Sequence, residues 1–213
     1  MDNNLIMNNT KQTKYLYMKH LIYLLIGIYF ITSCTSSTQF EITGTIEDAK
    51  NKELIFSELL VSGTSKIKTV KINDKGNFTI KAETDIPRFY HLAISEKNFI
   101  TLLIEPGEKI VINAKASDLS HASITGSEGS VKVQKLNNQL AYTKQKLDSI
   151  KNYIDAINDQ NRLEQEIDNI NKKYTAIIDQ QRDSSIAFIV SNLNSLASIV
   201  ALYQRIDDEN YVL

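Results

Sequence analysis

Thiol chemistry is almost missing from this chain. Its 213 residues include one cysteine, Cys34. An intrachain disulfide, a Cys-X-X-Cys redox pair and a thiolate metal site are therefore excluded within one chain. Tryptophan is absent and proline occurs twice, which by itself says little. No apolar run reaches the roughly 18 residues of a membrane-spanning helix; Leu21 to Ile31 has 11. Basic side chains are not in excess, at 24 against 25 acidic ones. No basic stripe is present either, so a nucleic-acid partner is not expected.

The short apolar run has a recognisable setting. Lys11, Lys14, Lys19 and His20 precede it, and the small residues Thr32 and Ser33 follow. A basic region, a short apolar core and a small-residue end describe a secretory signal. Ile31-Thr32-Ser33-Cys34 resembles a bacterial lipobox: a branched apolar residue, two small ones, then cysteine. The resemblance implies cleavage after a signal peptide of residues 1–33, lipidation of the Cys34 sulfur and acylation of the new amino group. Several acyl chains would hold the protein to a membrane, beyond the marginal binding of one chain. The plainer readings are a transmembrane segment, or a buried or free cysteine near an ordinary cleavage site. Met18 opens MKHLIYLLIGIYFITSC, a complete signal of this kind, and is the expected initiator.

Residues 1–33 hold three of the 24 basic and one of the 25 acidic side chains, which leaves 180 residues with a net charge of −3. That length supports one good core or two small domains. Residues 34–38 form the expected lipidated tether, and Thr35 to Thr38 reach only about 14 Å. The folded part would sit close to the membrane. No acidic run follows Cys34. In some Bacteroidetes-type lipoproteins such a run resembles a surface-export signal, so the expected place is the outer membrane of a bacterial envelope, facing the periplasm.

From residue 39 the apolar period is two. Phe40, Ile42, Gly44 and Ile46 alternate with polar residues, which marks a half-buried strand. Glu53 to Val61 is a second strand, apolar enough for burial on both faces. Lys66 to Ile72 is a third, with Ile67 out of phase, as a bulge would cause. Asn73-Asp74-Lys75-Gly76 reads as a tight hairpin before Phe78, Ile80 and Ala82. Pro87 starts the next strand, with Tyr90, Leu92 and Ile94 on one face. Glu96-Lys97-Asn98 turns the chain into Phe99 to Ile104. In Glu105-Pro106-Gly107-Glu108, proline presets φ and glycine accepts a positive φ, as a type II turn requires. Ile110 and Ile112 face inward in a seventh strand. The expected class is α+β: residues 39–128 as an antiparallel β-sandwich or a barrel-like sheet of about seven strands, then helices.

From about residue 130 the period becomes helical. Leu136, Leu140, Leu147, Ile150, Ile154 and Ile157 keep heptad intervals, as do Leu163, Ile167, Ile170, Tyr174 and Ile177. Asn158-Asp159-Gln160-Asn161 interrupts them with poor helix formers. The expectation for residues 129–205 is an antiparallel helical hairpin, one continuous helix being the alternative. A short last helix would be capped by Ser195 and run to about Arg205. Residues 206–213 read as a truncated end.

A family resemblance rests on Gly44-Thr45-Ile46, Gly76-Asn77-Phe78-Thr79-Ile80, Pro87 with Tyr90-His91-Leu92, Glu105-Pro106-Gly107-Glu108 and Ile124-Thr125-Gly126-Ser127. In order and spacing they resemble domain-of-unknown-function family 4369, common in Bacteroidetes lipoproteins. The helices, with Phe188-Ile189 and Asn194-Ser195, are similar to the segment linking that domain to a thioredoxin-like one. Such relatives are membrane-anchored thiol–disulfide oxidoreductases with a Trp-Cys-X-X-Cys motif. This sequence reaches Tyr211-Val212-Leu213 without that motif, so the resemblance does not carry the activity over. It implies a non-enzymatic accessory module for a thioredoxin-like partner.

No other residues form a catalytic, cofactor-binding or metal-binding pattern. His91 and His121 stand 30 apart without ligand spacing. Glu164, Glu166 and Asp168 lie on a polar helix face. Asp207-Asp208-Glu209 lacks the spacing of a calcium loop. Tyr142, Tyr153 and Tyr174 lie on or beside the helix stripes, where packing is the default role. The alternatives to an accessory module are a stand-alone ligand-binding lipoprotein and assembly through self-associating heptad helices.

Overall fold

The computed structural model describes residues 38–207 and 209–213. Eight strands precede three helices: β1 Gln39–Glu47, β2 Glu53–Leu60, β3 Gly63–Lys71, β4 Asn77–Glu83, β5 Arg88–Ser95, β6 Asn98–Ile104, β7 Lys109–Lys115, β8 Asp118–Thr125, α1 Glu128–Asp155, α2 Gln160–Ser191 and α3 Ala197–Tyr203. The strands form two four-stranded sheets, ordered β4-β1-β7-β8 and β3-β2-β5-β6. They face each other and do not close into a barrel. This is the sandwich of the two architectures expected, with eight strands rather than about seven.

The faces follow the alternation in the sequence. Phe40, Ile42, Ile80, Ile110 and Ile112 from the first sheet meet Leu54, Phe56, Leu92, Ile100 and Leu102 from the second in one core. Phe40 spans the gap, with its ring centroid 5.5 Å from Tyr90 and 6.0 Å from Phe56. Edge-to-face and tilted aromatic contacts of this kind add about 1 kcal/mol each beyond area burial. The bulge expected near Ile67 is there: Phe56 pairs with Lys68 and Ser57 with Lys66, which leaves Ile67 as the extra residue.

Four readings need correction. First, β8 was missed, because its buried positions Leu119, Ala122 and Ile124 are not in strict alternation. A register irregularity between Asn113 and Lys115 of the partner strand accounts for the slip. Second, one pair is parallel: β1 runs alongside β7, Ile42 opposite Ile110. Sequence reading matches strands to their neighbours in the chain, and these two are far apart in it. Third, the Asn73–Gly76 turn is not a hairpin. It carries the chain from β3 in one sheet to β4 in the other. Asn73 shapes it, its side-chain oxygen accepting from the N–H groups of Lys75 and Asn77, each at 2.9 Å. Fourth, strand β2 puts Leu54 and Phe56 in the core, while on its other face Ile55 and Leu59 are exposed and Ser57 is buried.

The helices cover one open edge of the sandwich, with α1 packed against the edge strands β6 and β8 of the two sheets. Leu103 points away from the sandwich core into a small cluster with Val133 and Ala197, joined by Phe89, Phe188 and Val200. Helices α1 and α2 make the antiparallel hairpin, with Asp159 capping α2 through the Asn161 N–H at 2.9 Å. Thr143 meets Gln181, Lys146 meets Gln180 and Tyr153 meets Glu166, so partner numbers fall as helix numbers rise. Ser195 accepts from the Ala197 N–H at 3.3 Å, but the N-cap of α3 is Leu196, without a side-chain cap bond, and the helix ends at Tyr203, short of Arg205. Beyond it the chain folds back. The Val212 N–H donates to the Gln204 carbonyl at 2.9 Å, and Val212 is buried.

Candidate functional site

The residues singled out for lipidation, Cys34 with Ile31, Thr32 and Ser33, lie outside the described residues, as do Met18 and the signal segment. The structure does place the start of β1, where the tether would end. The Thr38 carbonyl accepts from the Thr84 N–H at 2.8 Å, at one end of the sandwich. That end holds a hollow of 460 Å³ lined by Thr38, Glu58, Ile67, Glu83, Thr84, Asp85, Arg88 and Tyr90.

Arg88 dominates this hollow. Its guanidinium donates to Glu58 at 2.9 Å and to Asp85 at 3.1 Å. The Arg88 hydrogen bond holds the Asp85 carboxyl below the usual carboxylate range. Burial pushes the Tyr90 phenol up, against the pull of the Thr84 hydroxyl. With carboxylates on both sides, the positive charge of Arg88 is offset and exerts little pull on an incoming anion. The cluster ties β2, β5 and the loop before β5 together, and its partly exposed ion pairs are of modest strength.

A larger cleft of 710 Å³ opens beside it, between the Glu105–Glu108 turn, the start of α1 and the α2–α3 turn. Gly107 takes φ 83°, as the Pro-Gly spacing required. Glu108 accepts from the Glu105 N–H at 3.0 Å. Burial pushes its carboxyl up, while the Glu105 backbone and the Ser127 hydroxyl act the other way. Glu128 pairs with Lys132 at 2.6 Å, which holds its carboxyl down. Beneath the cleft lies a serine latch that sequence reading missed. Strand β6 is a sheet edge, and Ser130 covers it: its hydroxyl donates to the Leu103 carbonyl at 2.9 Å and accepts from the Leu103 N–H at 3.1 Å. Ser127 caps α1 through the Ser130 N–H and also reaches the Leu103 carbonyl at 3.0 Å. A serine just before a helical run is an N-cap signal, but nothing local shows that Ser130 serves a strand.

His91 and His121 are not brought together as a site. His91 stacks on Phe99 with centroids 4.5 Å apart, and burial pushes its imidazole below the ordinary range. Both rings line a 480 Å³ hollow between the second sheet and α1, with Leu59, Gln134 and Asn137. His121 is exposed and pairs with Asp118 at 2.6 Å. Glu166 accepts from the Tyr153 hydroxyl at 2.6 Å, whereas Glu164 and Asp168 are exposed. Lys146 sits over the Tyr142 ring at 4.5 Å, and Tyr174 flanks Leu147. Asp207 organises a turn by accepting from the N–H groups of Glu209 and Asn210; Asp208 is outside the described residues. Among the described residues no group of three or more His, Cys, Asp or Glu is placed to hold a metal ion. Among them, too, no helix is long and apolar enough to cross a membrane.

Against known proteins, a family model described as a domain of unknown function (DUF4369) matches residues 40–132. The match covers the sandwich and the first turn of α1, latch included, and supports the resemblance carried by the strand residues. No curated protein matches the chain.

Proposed function

We propose that this chain is a lipid-anchored module of the bacterial envelope, on the periplasmic side of the outer membrane, without catalysis of its own. Its role is to position a thioredoxin-like partner. The observation that carries the reading is Ile31-Thr32-Ser33-Cys34, which closes an 11-residue apolar run and stands shortly before the first strand. The sole thiol is then committed to the anchor and removed from electron transfer. The resemblance of the strand region and its following helices to thiol–disulfide oxidoreductases supports the choice of partner. The layer of α1, α2 and α3 is the surface on which such a partner would be held.

The test is metabolic labelling with radioactive palmitate. Label enters the wild-type chain and not the Cys34→Ala variant. Recovery of an unmodified Cys34 thiol from cell-derived protein would sink the proposal. The partner is tested separately, by crosslinking in cells from the exposed Tyr142 and Tyr174 of the helical hairpin. A thioredoxin-like protein among the products is the expected result, and its absence removes that half of the reading.

A second reading is a stand-alone ligand-binding lipoprotein. The hollow of Leu59, His91 and Phe99, with Gln134 and Asn137 at its rim, is an apolar floor with a few polar groups. A bound small molecule in protein purified from the envelope would favour it.

A further inference from the structure

We infer that the end of the sandwich from which the tether leaves is itself a membrane-contact surface, dipping apolar loop tips into the lipid–water interface. The inference rests on the anchor reading above and adds where the bilayer lies against the fold.

Three segments distant in sequence meet at this end. The β2–β3 tip follows Glu58, which lines the same hollow as Thr38 and Ile67. On this tip Leu60 is 44% exposed and Val61 is entirely so. Ile86, 53% exposed, sits in the loop between Asp85 and Pro87. Pro87 lines the cleft shared with the α2–α3 turn, where Leu193 is 74% exposed. These are exposed apolar side chains on separate loop tips of one end, with Glu105, Glu108, Glu128 and Lys132 lining the cleft between Pro87 and Leu193, and exposed apolar surface of this kind marks interaction sites.

The tether selects the occupant. From Cys34 to Thr38 the chain reaches at most about 14 Å. A lipidated Cys34 therefore brings this end, and not the Asn73–Gly76 end, against the bilayer. Strand β1 alone separates the two ends by roughly 30 Å. Charge does not drive the contact, because Glu58, Glu83 and Asp85 surround Arg88. The attraction is apolar, and it holds on zwitterionic lipid.

Because the chain lacks tryptophan, a single introduced indole is an unambiguous probe. Full-length lipidated Val61→Trp and Lys75→Trp variants are reconstituted in phosphatidylcholine vesicles with brominated acyl chains. Both positions are exposed, so neither substitution threatens the fold. The Val61→Trp emission is expected to shift to the blue and fall roughly twofold, as for side chains buried at the headgroup boundary, and Lys75→Trp to keep its aqueous spectrum. Ile86→Trp repeats the measurement on the second loop. If the protein floats with the vesicles but Val61→Trp and Ile86→Trp stay aqueous, the inference is overturned and the anchor stands. If mass spectrometry finds Cys34 unmodified and nothing floats, the anchor fails and the inference with it. A blue shift without bromine quenching means that a second copy or another protein covers this end, and also overturns it.

Discussion

Replacing Ser130 by alanine tests how the helices are fastened to the sandwich. The Leu103 N–H and carbonyl project from the edge of β6, and Leu103 is 1% exposed, so water does not replace a lost partner. Ser130→Ala strips the N–H of its acceptor, while the carbonyl keeps the Ser127 hydroxyl at 3.0 Å. One orphaned buried group costs about 1–3 kcal/mol. Ser127→Ala removes the N-cap, worth about 1 kcal/mol, while Ser130 still serves both Leu103 groups. Only the double variant orphans the carbonyl as well, so its cost should exceed the sum of the single costs by about 1–3 kcal/mol. Urea unfolding of the four proteins, read as midpoint times slope, measures this. Hydrogen exchange at the Leu103 amide should quicken in Ser130→Ala and much less in Ser127→Ala. If the two costs add to within about 0.5 kcal/mol, the shared-carbonyl reasoning is wrong.

Three further outcomes are expected. A Cβ on Gly129 would lie 2.9 Å from the Leu103 Cγ and 3.1 Å from its carbonyl oxygen, so Gly129→Val should cost about 1–3 kcal/mol by overpacking, seen as a lower urea midpoint. In the helical hairpin, Thr143→Val leaves the buried Gln181 oxygen without its 2.6 Å donor and should cost about 1–3 kcal/mol, only part of it regained by adding Gln181→Leu, which takes from the buried Ser185 hydroxyl its Gln181 donor; thermal unfolding of both variants checks it. His91, whose imidazole is pushed down by burial, binds fewer protons folded than unfolded. Its stability contribution is therefore complete above about pH 6.5 and is lost as pH falls below that through the folded value. The urea midpoint should drop on acidification in this window, and less so in His91→Gln; an unchanged slope in the variant would refute the assignment.

Much of the fold was legible because it depends on local periodicity. Phe40, Ile42 and Ile46 alternate because one face of β1 is buried. The out-of-phase Ile67 announced its own bulge, and Asn158 and Asp159 lie in the hairpin loop, although Gln160 and Asn161 already belong to α2. The candidate sites were less legible. The seam of α1 and α2 reads as an apolar heptad, yet it buries Thr143, Gln181 and Ser185 with one another. Polar residues inside a stripe look like exposed ones until their partners on the other helix are known.

The sequence by itself determined what needs only neighbours along the chain. That comprises the strand and helix periods, the Pro-Gly turn and the lone thiol at the end of a short apolar run. Only the tertiary structure decided which sheet each strand joins, the parallel pairing of β1 with β7, and the service of Ser130 to an edge strand. It also decided the gathering of Val61, Ile86 and Leu193 at the end where Thr38 begins. Those are contacts between segments tens of residues apart, set by how the two sheets share one core, and no local pattern encodes them.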